Sequence, residues 1–437
     1  MKIVSLCGLL GYGYSEESLN KAFSEKVDYV GVDAGSTDPG PYYLGSGKSF
    51  TDRGAVKRDL SLAMPKALEQ KAPFIIGTAG GAGSKKHTDW LVDIVKEIAK
   101  EQNLSFKLGI IYSDVDKTYV MEKLKAGKIV PMSETFPLSE EAIEESETIV
   151  SQVGIAPILS LLEQKADIIV AGRACDTAIY AAPCIYEGYD PGLSFHMAKI
   201  MECGAMCAEP VAAADVMQGY MEKDYFELRP ANPTRKCSAE RAAAHTMYEQ
   251  TNPYMIYEPD GAIDLKNSKF EQIDERTVRI TGAVFNEAAE KTLKLEGVKK
   301  VGYRTICIGG IYDPLTIAHF DYIEKTVKDF VKNNTNIKSD DYMLSFRTYG
   351  GSESSLGVLI DAVGKTQEIA DTICSLARSR ILHCDYDGRK SSAGNMAFPF
   401  SPSDIHVGEV YEFSVFHLAK VDSLSETAVI KIEEVGK

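Results

Sequence analysis

Three stretches of the chain carry side chains whose types and spacing suit acid–base chemistry. The first is Gly31-Val32-Asp33-Ala34-Gly35-Ser36-Thr37-Asp38, which sets two carboxylates and two hydroxyls within six residues. A carboxylate at the end of a strand points in a fixed direction. That suits a general base, or a ligand to a hard cation such as Mg²⁺. Asp33 stands closer to the strand end than Asp38; the same composition also builds an Asx- or ST-turn. The second stretch, Ser113-Asp114-Val115-Asp116, repeats the pattern and adds Asp114 and Asp116 to Asp33 as Mg²⁺ ligands. The third is Ala171-Gly172-Arg173-Ala174-Cys175-Asp176-Thr177. Arg173 offers a planar fork to a carboxylate or phosphate. Asp176 suits a helix N-cap or, where burial raises its pKa, a general acid. Cys175 beside Arg173 at a helix start would have a lowered thiol pKa, but no His is placed to activate it.

A fourth stretch binds rather than reacts. Phe74-Ile75-Ile76-Gly77-Thr78-Ala79-Gly80-Gly81-Ala82-Gly83-Ser84 runs a strand into a glycine-rich loop ahead of a helix. Loop amides and a helix N-terminus together favour an anion, so Thr78, Gly80, Gly81, Gly83 and Ser84 read as an anion cradle; tight packing of a strand–helix turn is the alternative. In the second half, Arg229 and Arg235 lie in Pro-rich turns placed to face the first half, with Arg229 as a further anion contact. Gly45-Ser46-Gly47-Lys48-Ser49 ends like a nucleotide P-loop, but Tyr42 stands where its first glycine is required. It reads as a mobile loop over the site.

The elements that must position these groups are legible as two textures. Apolar runs at Lys2–Cys7, Tyr29–Asp33, Phe74–Thr78, Lys107–Tyr112 and Ile168–Ala171 predict strands. Helical patterns fall between them, near Val56–Gln70, Thr88–Glu101, Tyr119–Lys125 and Glu140–Gln164. Strands apolar on both faces indicate a parallel sheet covered on each side. Right-handed crossovers then bring the three acidic loops to its carboxyl edge, where ligands of open α/β sheets bind. The helical segment Pro191–Pro210 spaces His196, Lys199, Cys203 and Cys207 close together. Beyond about residue 215 the pattern becomes α+β, with antiparallel strands and helices near Ala239–Glu249, Pro314–Lys332 and Thr366–Leu382. Residues 1–215 and 216–437 are therefore expected to be separate domains.

Composition excludes several classes. The 437 residues carry a formal charge of −15, and no basic block exceeds three residues, which argues against a nucleic-acid footprint. No apolar run approaches the roughly 20 residues of a membrane span, and no signal-type cleavage region follows the N-terminus, so a cytoplasmic protein is expected. Nine scattered cysteines in a chain of this length read as reduced thiols.

Ala166-Asp167-Ile168-Ile169-Val170-Ala171-Gly172-Arg173-Ala174-Cys175-Asp176-Thr177-Ala178, with Asp190-Pro191-Gly192-Leu193 and Glu202-Cys203-Gly204-Ala205, resembles the AtuA-type acyclic terpene utilisation family. The resemblance extends to Gly80-Gly81 and, more loosely, to Thr366-Gln367-Glu368. It implies a Rossmann-like N-terminal part and a place in the catabolism of terpenoid and carboxylic acids, beside CoA-transferases and a small partner protein. The chain departs from the family where a Gly-Asp-Tyr-Leu-type stretch is usual and Val32-Asp33-Ala34-Gly35 stands instead. That leaves substrate and base open.

The expected architecture is α/β: a Rossmann-like, mostly parallel N-terminal sheet with helices on both faces, followed by an α+β C-terminal domain. The expected function is a lyase, a hydratase or dehydratase acting on a small hydroxy-carboxylate or its CoA thioester, with isomerisation open to the same groups. Asp33 or Asp114 would be the base, Asp176 the acid, and Arg173 the carboxylate clamp. Mg²⁺ is the one cofactor these residues suggest, and a homo-oligomer is expected. The alternative is a non-catalytic subunit that holds CoA or a carboxylate for a partner enzyme.

Overall fold

The computed structural model describes residues 1–132, 135–212, 214–352 and 354–436. Its centre is a run of five parallel strands, in the spatial order Lys2–Ser5, Tyr29–Asp33, Phe74–Gly77, Ile168–Ala171 and Phe106–Tyr112. Every residue of the first four is buried. This is what continuous Val/Ile-rich runs require, since such strands have no face to give to water. Antiparallel strands extend both edges to ten, so the sheet is mixed.

The chain crosses the sheet in one direction through its first strands, then returns to insert Ile168–Ala171 between Phe74–Gly77 and Phe106–Tyr112. A right-handed crossover that reverses direction changes the face on which its helix lies. Accordingly, helices Glu16–Ala22, Arg53–Gln70 and Lys85–Gln102 bury Leu19, Leu60, Met64, Leu91 and Ile94 against one face. Helices Ala156–Glu163, Ala178–Tyr186 and Pro191–Met201 bury Ile158, Tyr180, Phe195 and Met197 against the other.

Two expectations need correction. The stretch read as one helix over Glu140–Gln164 is a helix Glu140–Glu145, a strand Thr148–Gln152 and a second helix Ala156–Glu163. The β-branched Thr148, Ile149 and Val150 prefer the pleated conformation, and they pair antiparallel with Lys294–Val298 of the strand Thr292–Ile311. The division of the chain also lies elsewhere. It separates Met1–Lys299 with Phe413–Lys437 from Lys300–Glu412, instead of falling near 215. Strands Met217–Met221 and Phe226–Pro230 are hydrogen-bonded onto the parallel sheet beside Lys2–Ser5, so a break at 215 would cut that sheet.

The unit Lys300–Glu412 is α+β. Strands Tyr342–Ser352 and Ser355–Gly364 pair antiparallel, and Ser355–Gly364 also pairs with Tyr303–Ile311. Helices Phe320–Asn333 and Gln367–Leu382 supply Ile323, Val327, Ile373 and Ala377 to a core with Cys307, Val358 and Ile360. Among the described residues, no helix is long and apolar enough to cross a membrane. All nine cysteines are free thiols.

Candidate active site

A cavity of about 300 Å³ opens at the carboxyl edge of the parallel sheet. Residues at or beyond the ends of three strands line it: Gly8, Leu9 and Tyr12 after Lys2–Ser5, Asp33, Gly35, Ser36, Asp38 and Pro39 at the end of Tyr29–Asp33, and Asp176 after Ile168–Ala171. Glu202, Cys203 and Met206 close it from the end of helix Pro191–Met201, with Tyr248 and Glu249 beyond. The loop after Asp33 lies against the glycine-rich loop. Gly35 has φ +140°, and a side chain there would put its Cβ 2.5 Å from the Cα of Gly81. Only glycine allows that approach.

Three carboxyl groups share this cavity. Asp33 is 8% exposed, and its Oδ1 accepts the Gly35 amide at 3.2 Å. Burial, then the charges of Asp176 and Glu202, push its pKa well above the ordinary aspartate value. Asp176 has a buried Oδ1 without a hydrogen bond, 3.6 Å from Arg173 Nη1. Burial raises its pKa, while Arg173 and Lys199 oppose the rise. Glu202 is 5% exposed and hydrogen-bonded by the Lys199 ammonium. Its pKa is pushed up to about 8 by burial, with Lys199 holding it down and Asp176 adding to the rise. With Glu202 still protonated at neutral pH beside two further carboxyls, such a cluster can offer both acid and base. The Arg173 guanidinium, 3.6 Å from Asp176, is the leading charge opposing the rise there.

Behind the cavity wall, Arg173 is 2% exposed, and its Nε donates to Glu296 Oε2 at 2.7 Å. Its fork is therefore occupied by the protein and does not present itself to a ligand. Lys199 is likewise engaged: burial works against its ammonium, but the Glu202 carboxylate outweighs this and its pKa is raised. Cys175 donates to Glu258 Oε2 at 3.0 Å. Burial, then that carboxylate, push the thiol pKa up, opposite to the lowering expected from its place beside Arg173.

The other residues singled out in the sequence lie elsewhere. Asp116 caps the helix Lys117–Lys125, accepting the Thr118 amide at 2.7 Å. Asp114 forms an isolated bridge with Val150 and does not line the cavity. Its pKa is raised by burial, opposed by the Lys85 amide. Asp33, Asp114 and Asp116 are thus not gathered around a cation; among the described residues, no set of three or more His, Cys, Asp or Glu side chains is arranged to hold a metal ion.

The glycine-rich loop is a packed turn rather than an open cradle. The amides of Ala79, Gly81 and Gly83 donate to Ala171, Thr78 and Ala79 carbonyls, and Thr78 Oγ1 donates to the Ala174 carbonyl. A Cβ at Gly80 would meet His87, at Gly81 Phe50, and at Gly83 the backbone of Arg173. Ser84 Oγ is bonded to His87 Nδ1. The P-loop look-alike is partly a helix, Pro41–Ser46, and Phe50 just beyond it lines the cavity. Arg229 donates to the Tyr220 hydroxyl on the neighbouring strand, and Arg235 pairs with Asp215, so neither serves as an anion contact in the cavity.

Sequence reasoning places Lys199 near Cys203 but passes over Glu202 as a working group. The signal is there: Lys199 and Glu202 are spaced i, i+3 at the end of a helix buried from Gly192 to Met201, where an unpaired charge would be costly. Glu296 gives no such signal. Lys294-Leu295-Glu296 alternates like any strand with one wet face, yet Glu296 is fully buried.

The family model for acyclic terpene utilisation family protein AtuA matches residues 52–221 and 230–378. No curated protein and no solved structure matches the chain. Since the match covers most of the chain, the chain belongs to the acyclic terpene utilisation family AtuA.

Proposed function

We propose that the protein is a lyase that adds or removes water across a carbon–carbon bond of a small β-hydroxyacyl compound, held as a thioester rather than as a free acid. Membership of a family named for terpene utilisation suits a catabolic step of this kind. The observation that carries the reading is the cavity's three neighbouring carboxyls of raised pKa, Asp33, Asp176 and Glu202. Elimination of water needs a base for the α-proton, an acid for the departing hydroxyl and a donor for the enolate-like oxygen. Asp176, whose carboxyl stands 3.6 Å from the Arg173 guanidinium, takes the α-proton. Glu202, protonated below about pH 8, delivers a proton to the hydroxyl. Protonated Asp33 donates to the carbonyl oxygen, as a carboxyl kept neutral by burial can.

The thioester follows from charge. Asp38 and Glu249 join the three carboxyls along the lining, while Arg173 and Lys199 are already bound to glutamates. A free carboxylate would find no Lys or Arg side chain along this lining to pair with. Leu9, Phe50 and Met206 leave an apolar wall for a short acyl chain.

The test is exchange of the α-hydrogen in deuterated water, together with hydration or dehydration, over paired panels of acyl thioesters and their free acids. Exchange with thioesters is expected, and its loss in Asp176→Asn by at least about 100-fold, the usual scale of a removed acid or base. Ligand binding with neither exchange nor turnover would favour the non-catalytic binding subunit instead. Turnover of free acids alone would overturn the thioester assignment.

A further inference from the structure

The loops that carry Asp33 and Asp176 are joined from behind by one buried carboxylate. Glu296 lies on the strand Thr292–Ile311 and is fully buried. Its Oε2 accepts from Arg173 Nε at 2.7 Å, and its Oε1 accepts from Thr37 Oγ1 at 2.8 Å. The Lys294 ammonium stands 2.7 Å from the same Oε1. Thr37 belongs to the loop that begins at Asp33, and Arg173 stands three residues before Asp176. One side chain therefore fixes both loops. Against burial, Arg173 and Lys294 hold the Glu296 pKa down to about 2, so it is an anion throughout the working range.

We infer that Glu296 is a positioning residue: it clamps the Asp33 and Asp176 loops together and sets how much of the Arg173 charge is left for the Asp176 carboxylate. This rests on the proposed roles of those two aspartates for its catalytic meaning, though not for its electrostatic content. Arg173, Lys294 and Glu296 together carry one net positive charge behind Asp176. The groups that face Asp176 are the cations Arg173 and Lys199 and the carboxyls Asp33, Asp38, Glu202 and Glu296, with the thiols of Cys175 and Cys203 beside them. Changing the triad alone changes the field while the rest stays. Removing the Glu296 charge leaves two cations and favours ionised Asp176; removing the Lys294 charge leaves none in excess and favours the protonated form.

The experiment follows the side-chain carboxyl of Asp176 by carbon NMR in the full-length protein labelled at aspartate, its signal located by its absence in Asp176→Asn. Glu296→Gln is expected to lower the titration midpoint by about one pH unit, and Lys294→Met to raise it by a similar amount. Damage to the fold alone would move both variants the same way. Midpoints that stay put, or move together, overturn the inference. Should Glu296→Gln fail to fold, because it strands a buried Arg173, Lys294→Met decides: an unmoved or lowered midpoint overturns the inference by itself. No substrate is needed, so a failure to find turnover would remove the proposed function and leave this result standing. Where turnover is found, its acidic pH limb should follow the same opposite shifts.

Discussion

Glu202 and Lys199 make a buried pair in which the carboxylate is the reluctant partner. The ordinary glutamate value is near pH 4, and in the unfolded chain Glu202 titrates there. In the folded protein it does so at about 8. Below about pH 4 both states hold the proton and nothing is lost. As pH rises toward 8 the unfolded chain releases a proton that the folded protein retains, so stability falls across that window. Asp33 and Asp176, whose pKa values are also raised, act in the same direction. Thermal unfolding followed across a pH series should therefore show a midpoint that declines from about pH 5 to about pH 8. Glu202→Gln, which never ionises, should flatten the decline and be at least as stable as the native chain at the upper end. A native midpoint that is level or rising over that range, or a Gln variant with an equally steep decline, would contradict the raised carboxyl. That the Asp33 and Asp176 loops meet at one edge is legible from sequence, because strand ends and loop composition are local, but the same local signal at Asp114 and Asp116 belongs to a loop outside the cavity. The pairing of Lys199 with Glu202 is half legible, and the role of Glu296 is not, because its partners Arg173 and Thr37 lie 123 and 259 residues away.

At the scale of elements, the glycine-rich turn after Phe74–Gly77 shows how a sequence signal can be real and its meaning different. Its glycines are needed, but by the protein itself. Gly83 has φ +69°, and a Cβ there would drive into the Arg173 amide nitrogen, against backbone that cannot swing away. Gly127 has nearly the same conformation, φ +66°, with nothing within 4 Å of the added carbon. Both alanine variants must hold a left-handed backbone, at a cost of about 1 kcal/mol. Only Gly83→Ala must also push the strand-end loop that carries Arg173 and Asp176. Urea unfolding should thus show Gly127→Ala weakened by about 1 kcal/mol and Gly83→Ala by about 3 kcal/mol or more. Equal losses would mean that the turn has room after all, and with it the open cradle. The parallel strands are readable because burial on both faces leaves an unbroken apolar run. The strand Thr148–Gln152 is hidden because its five residues, flanked by helical patterns, offer too short a period to outweigh them.

For the whole molecule, the texture change near residue 215 marks a change from parallel to antiparallel pairing inside one sheet, and the second compact unit is an insertion, Lys300–Glu412. Sequence alone favours the wrong boundary because antiparallel strands added to a parallel sheet look like the start of something new. The unit holds its own core around Val327, Ile360 and Ile373, whereas every residue lining the cavity belongs to the other unit. A Cβ on Gly297 would lie 2.9 Å from Val415, so the chain leaves and re-enters the first unit at neighbouring points. A short Gly/Ser linker can therefore replace Lys300–Glu412 without stretching the strands that hold Glu296. The shortened protein is expected to unfold cooperatively and to bind the same acyl thioesters as the full chain, with an affinity unchanged to within roughly an order of magnitude. The excised Lys300–Glu412 segment, expressed alone, should show a cooperative melt of its own and no thioester binding. Loss of cooperative folding in both pieces would mean that neither core suffices by itself; thioester binding carried by the excised segment would move the functional site out of the carboxylate cavity altogether.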